Sequence, residues 1–203
     1  MNEISVSEAA EQLGVSAIQV GRLIGFGELR AQRFGKAWAV DRKSVQRYAD
    51  MRARSGRPLS AKSAWKRLLA AHPKSIDNVA DLARQSRRRG VRLEGAVSPG
   101  KFSALLADGR VVVSGVAAAA QHGAAVDENP PHIIYVQRSD VGSVISDYRI
   151  DGNHSSPNVV VWVVDDSCWP FDGPVVPPVV ALVDLVNEGE HRSARELLNE
   201  VRS

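Results

Sequence analysis

At 203 residues, with 44% hydrophobic and 24% charged content, the chain has the composition of an ordinary folded protein with room for one large or two small domains. No run reaches the roughly 20 apolar residues that a membrane-spanning helix needs, and the polar, acidic start MNEISVSEAA reads against a secretory leader, so a cytoplasmic protein is expected. Cys168 is the single cysteine, which excludes an internal disulfide, and the five histidines (His72, His122, His132, His154, His191) are scattered, so no metal or other cofactor is expected.

The formal net charge of +3 hides an uneven distribution. Residues 1–110 carry 21 Lys and Arg against 10 Asp and Glu, a balance of +11, whereas residues 111–203 carry 5 against 13, a balance of −8. A basic front half suits an anionic partner such as nucleic acid, and an acidic back half suits solvent or a protein surface.

In chain order, Ser5 with Glu8 forms a capping box that announces a first helix, with Ala9, Ala10 and Leu13 at helical spacing and Gly14 as its stop. Ser16 with Gln19 repeats the signature for a second helix, whose core face is Val20, Leu23 and Ile24 and which ends at Gly25 and Gly27. Ala17, Gln19 and Arg22 then fall on its outer side, with Ser16 at the positive end of the helix dipole, the arrangement in which a reading helix enters the major groove. Leu29–Arg33 and Ala37–Val40 are short strand candidates around Phe34-Gly35-Lys36, a hairpin tip crowned by Arg30, Arg33 and Lys36. Those cations suit phosphate or minor-groove contact, although a solvated charged turn has the same composition. Trp38 is expected to pack inward on Tyr48, and Asp41 to cap a third helix.

Ile4–Tyr48 resembles the excisionase-like branch of the MerR superfamily of winged helix-turn-helix DNA binders. The residues that carry the resemblance are SVSEAAEQLGVS followed by VGRLIGFGELRAQRFGKAWAVDRKSVQRY, in the order helix, turn, helix, G-x-L, wing and W-x-V. It covers about the first quarter of the chain and implies a double-stranded DNA ligand.

From Met51 to Lys74 there is no acidic residue, and Arg52, Arg54, Arg57, Lys62 and Lys66 stand as candidates to lie along phosphates beside the reading head. Ser55-Gly56-Arg57-Pro58 reads as a bend. Ser60 and Ser75 cap two short helices, the second running into Arg87-Arg88-Arg89. The alternative is that these cations are only the solvated faces of connecting helices.

Beyond Val97, Ser98-Pro99 opens a helix. Strand candidates follow at Arg110–Ser114, His132–Val136 and Asn158–Val164, interleaved with an alanine-rich helix ending at His122-Gly123 and a helix capped by Ser139. Val179–Asn187 and Ser193–Val201 close the chain as helices, with Asp184 and Arg195 placed to pair across their turn. Alternating strands and helices define an α/β domain.

This half resembles the C-terminal domain of AbiE-type antitoxins, on the residues VVVSGVAAAAQHG (111–123), NVVVWVVDDSCWPF (158–171) and PPVVALVDLVNEGEHRSARELL (177–198). The resemblance implies the antitoxin and autorepressor of a type IV toxin–antitoxin operon, binding an inverted repeat as a homodimer and meeting a cognate nucleotidyltransferase-like toxin. The excisionase-like head departs from that family, whose head is a different winged-helix variety. Without a toxin, the same chain reads as an excisionase- or MerR-like transcription or architectural factor.

Ser114-Gly115 followed by His122-Gly123 is also similar to the opening of a nucleotidyltransferase fold. There, two carboxylates one residue apart on the next strand hold a magnesium ion. Here that strand, His132–Val136, bears none, Asp127 and Glu128 precede it beside Pro130-Pro131, and the consecutive Asp165-Asp166 point to opposite faces of a strand. No catalytic residue is therefore assigned.

The expected fold class is α+β/α/β: an N-terminal winged helix-turn-helix (1–54), a basic helical connector (55–96) and a C-terminal α/β domain (97–203), for which a degenerate nucleotidyltransferase-like fold is one form. The expected function is sequence-specific transcriptional regulation, and not enzyme catalysis.

Overall fold

The computed structural model describes residues 3–34, 37–53, 59–126 and 131–202, with the backbone alone at 34 and 50–53. Among them no helix is long and apolar enough to cross a membrane. The chain divides into two units, Met1–Pro58 and Leu59–Ser203, each mixed α/β and each built on its own small sheet.

The first unit runs β1 (Glu3–Ser5), α1 (Val6–Leu13), α2 (Ala17–Gly25), β2 (Ala31–Phe34), β3 (Ala37–Asp41) and α3 (Arg42–Ala53). Its sheet has the order β1-β3-β2 with both pairings antiparallel, and Val40 of the central strand stands opposite Ile4 on one side and Ala31 on the other. Ala9, Leu13, Val20, Leu23, Val45 and Tyr48 bring the three helices onto Ile4, Leu29 and Val40. β1 is absent from the sequence reading because three residues are too few to show an alternating pattern. Trp38 does not pack on Tyr48. It lies at the hairpin end of β3 with 38% of its surface exposed, and its cross-strand partner is Arg33.

The second unit contains α4 (Ala61–Leu69), α5 (Ile76–Gln85), β4 (Val91–Gly95), α6 (Phe102–Leu106), β5 (Val111–Ser114), α7 (Gly115–Gln121), β6 (His132–Gln137), α8 (Val141–Tyr148), β7 (Val159–Val164), α9 (Pro178–Glu188) and α10 (His191–Glu200). The sheet order is β4-β7-β6-β5; β6 and β7 are parallel and the two outer pairings are antiparallel. Both faces are covered, which explains the unbroken apolar run of β7. Val159, Val161 and Val163 pack with Leu105 of α6 and Val144 of α8, while Val160, Trp162 and Val164 meet the larger cluster formed by α4, α5, α7, α9 and α10.

α9 is buried on every side: Val180 to Leu185 are all inaccessible, including Asp184 at 1% exposure. A lone carboxylate there would be prohibitive. It is met by Arg89, itself 0% exposed, which donates to Asp184 Oδ1 and, through Nε, to Tyr135 Oη at 2.9 Å. Tyr135 Oη donates to Asp184 Oδ2 at 2.9 Å and Ser114 Oγ does so at 2.5 Å. The Arg89 guanidinium also lies 3.9 Å over the Trp162 ring, and the Trp65 indole N–H donates to the Arg89 carbonyl at 2.8 Å. Burial works against the Arg89 charge, but Tyr135 and Asp184 outweigh it and raise its pKa, so the guanidinium stays charged.

Five expectations change here. The stretch 55–96 is not a separate connector, because Trp65, Leu68, Val79 and Ala83 belong to the main core and β4 completes the sheet. The boundary falls between residues 58 and 59 instead of at 54 and 96. Several front-half cations are spent internally: Arg89 on Asp184, Arg92 on Glu94 and Glu188, Arg84 on Asp81, and Arg110 on Asp108 and Asp147. Asp184 therefore pairs with Arg89 and not with Arg195, which is exposed. Ser139 does not cap α8 either; its amide and hydroxyl donate to Asp166 Oδ1.

Asp184→Asn should destabilise the chain by about 3–5 kcal/mol in urea unfolding, because it strands the Arg89 charge. Arg89→Met combined with Asp184→Asn should recover most of that loss, since Asn still accepts from Tyr135 and Ser114. A second expectation concerns Asp108, whose carboxyl the Arg110 guanidinium holds below the usual carboxylate range against the effect of burial. A depressed folded pKa contributes stability above the unfolded value of about 4 and loses it as pH falls further. Asp108→Asn should accordingly lower Tm at pH 7, and its gap from the unsubstituted protein should close as the pH drops below about 4.

Candidate nucleic-acid interface

The first unit places its helices by local capping. Ser5 Oγ accepts from the Glu8 amide at 3.2 Å while the Glu8 carboxylate accepts from the Ser5 amide at 2.8 Å, so the expected capping box is formed. Gly14 ends α1 in the left-handed region at φ 61°, a conformation that glycine adopts without a Cβ penalty. The chain reverses there, and Ser16 starts α2 by accepting from the Gln19 amide at 3.2 Å.

α2 then has two distinct faces. Val20 and Leu23 are buried and Ile24 is half-buried, as their spacing predicts. Ser16, Ala17, Gln19 and Arg22 are all exposed; Arg22 lies opposite the buried stripe, Ala17 and Gln19 flank it on opposite sides, and Ser16 is the N-cap. Two residues belong with them that the sequence reading passed over. Ile18 is 74% exposed, and Gly21 is exposed with no atom within 4 Å of the place a Cβ would occupy. Their positions off the 20-23-24 stripe were the available signal; apolar type had concealed it for Ile18.

The β2-β3 hairpin belongs to the same unit. Arg33 is exposed on β2, with its guanidinium 5.8 Å from the Trp38 ring across the strand pair. Arg30 is exposed where the chain enters β2, and its backbone is fixed at both ends: the amide donates to Ser44 Oγ at 3.1 Å and the carbonyl accepts from the Asp41 amide at 2.8 Å. Asp41 caps α3 as expected, its Oδ1 accepting from the Lys43 amide at 3.0 Å. Arg42, Lys43 and Arg47 add exposed cations on α3.

The remaining expected contacts are distributed differently. Lys36, Arg54 and Arg57 lie outside the described residues, and Arg52 is described only as backbone of α3. Lys62 and Lys66 are exposed on α4, which belongs to the second unit. Residues 1–58 hold ten Lys and Arg against six Asp and Glu, a balance of +4, and residues 59–203 hold 16 against 17. The positive excess is thus a property of the first unit, although smaller than the division at residue 110 implies.

In the second unit, Asp165 and Asp166 serve as loop acceptors for Ser167 and Ser139. His122 Nε2 lies 2.8 Å from the Val176 carbonyl oxygen at the end of α7. Among the described residues no three His, Cys, Asp or Glu side chains gather as a metal site. No protein-family model, curated protein or solved structure matches this chain.

Removing the α3 cap with Asp41→Ala should cost about 1 kcal/mol in thermal or urea unfolding of the first unit, whereas Asp41→Asn, which caps equally well, should stay close to the unsubstituted protein. Equal losses for the two variants would show that the cap is not what Asp41 contributes.

Proposed function

We propose that the protein is a sequence-specific DNA-binding transcriptional regulator whose first unit works as a winged helix-turn-helix. The observation that carries this reading is α2 itself, a capped helix that follows a tight turn and leaves Ser16, Ala17, Gln19 and Arg22 exposed around its buried stripe, in one unit with an arginine-bearing hairpin. In the major groove, Gln19 pairs with an adenine edge and Arg22 with guanine. Arg30 and Arg33 hold the backbone, which sets register without reading sequence.

One unit of this size spans only a few base pairs, so a homodimer on an inverted-repeat operator supplies the needed affinity. The second unit, through its resemblance to AbiE-type antitoxins, takes the role of partner and dimerisation domain. On that reading the protein represses its own operon in the cytoplasm and neutralises a nucleotidyltransferase-like toxin by binding it, not by catalysis. Co-purification with the product of the adjacent gene tests the toxin role, and its failure leaves a regulator without a toxin.

The DNA reading is tested by selecting sites from a random duplex library and footprinting the product. Arg22→Ala should lose about 1–3 kcal/mol on the selected site and relax specificity at one position. Gly21→Ala should separate folding from binding: alanine in a helix is favoured over glycine by about 0.5–1 kcal/mol, so Tm rises, while the added methyl group occupies the reading face and affinity falls. Unchanged affinity in both variants would remove α2 as the reader.

A further inference from the structure

Ile18 is the most exposed large apolar side chain among the described residues, at 74%, and its own fold offers no reason for it. The core stripe of α2 is Val20, Leu23 and Ile24, and Ile18 lies off it, aligned at helical spacing with Gly21 and Arg22. Gly21, three residues on, raises no side chain beside it and opens onto empty space. Arg22, four residues on, is exposed on the same face and makes it cationic there. A branched apolar group with an exposed arginine beside it matches one feature of a duplex that is itself apolar, the pyrimidine 5-methyl group on the floor of the major groove.

Resting on the DNA-binding role of α2, we infer that Ile18 reads the 5-methyl group of a thymine, as a specificity-determining contact beside the hydrogen bonds of Gln19 and Arg22. The isoleucine packs on the methyl group and excludes water from it. Removing either partner forfeits about one buried methyl, which corresponds to about fourfold in affinity. The same chemistry is offered by 5-methylcytosine, so the contact follows the methyl group and not the base that bears it.

The test uses the full-length chain. Sites selected from an unmodified random duplex library are resynthesised with deoxyuridine replacing each thymine in turn, and Kd is read by fluorescence anisotropy. The expected result is one thymine per half-site at which deoxyuridine weakens binding about fourfold, while Ile18→Ala binds the thymine and deoxyuridine duplexes alike. Cytosine paired with guanine at that step should weaken binding, and 5-methylcytosine there should regain the methyl-dependent part; no gain restricts the contact to thymine and overturns the methyl-group reading. Ile18→Ala should keep the thermal midpoint, since the side chain is exposed, so a change in binding is not a change in folding. Indifference to deoxyuridine at every position of a selected site, or equal sensitivity in Ile18→Ala, overturns the inference while leaving DNA binding intact. Failure to select any site overturns the DNA reading itself, and this inference with it.

Discussion

The Asp184 carboxylate sits on a helix whose surroundings offer it no water, and an unpaired charge in such a place costs several kcal/mol. Arg89, Tyr135 and Ser114 meet it from three other elements of the chain: the turn after α5, β6 and β5. The pair is weak as a source of net stability, because two charges were desolvated to make it, but it is demanding as a constraint. Only one docking of α5 brings the guanidinium under the carboxylate and over the Trp162 ring. The segment 59–95 is thereby drawn into the second unit, where α4 and α5 line the core and β4 extends the sheet.

That constraint also accounts for what was and was not legible in the sequence. Periodicity located the strands at 111–114, 132–137 and 159–164 and the helices α1, α2, α7, α9 and α10, because each has a strong local apolar pattern, reinforced in α1 and α2 by a serine cap. The basic stretch after residue 58 misled, since a cation read in isolation looks solvated. Arg89 and its partner are 95 residues apart, and Arg92 and Glu188 are 96 apart, so no local signal announces either pairing. β4 was hidden for the same reason: Arg92 and Glu94 make it look like an exposed linker, yet their charges cancel against each other and Glu188.

In the first unit the legible part was larger. Ser5, Gly14, Ser16 and Asp41 each act through groups within a few residues, so the sequence alone predicts the path of the chain from α1 to α3. Trp38 is the exception. Its residue type favours burial, but its place at the open end of the hairpin lies beyond the reach of the helices, and Arg33 is the neighbour it finds. An aromatic ring that supports an arginine limits the directions in which that arginine points, a property that would suit the hairpin if it meets a phosphate chain as proposed.

Arg84, Arg89, Arg92 and Arg110 are engaged by carboxylates of the second unit, so on the proposed DNA-binding reading they add little to a phosphate-tracking surface, which is left to cations such as the exposed Lys62 and Lys66. Nonspecific affinity scales with the number of phosphates neutralised, and each contact adds about 0.9 to the slope of log affinity against log salt. A DNA-binding first unit with a balance of +4, as proposed, would lean less on the polyelectrolyte term than the charge of the front half suggests. The share left for direct contact rises correspondingly, and it must come from the few side chains that α2 exposes. On the proposed reading an isoleucine and a glycine on that helix therefore carry more weight than their types imply: with little charge to hold the protein anywhere on a duplex, discrimination would rest on how closely one short helix fits one set of base edges.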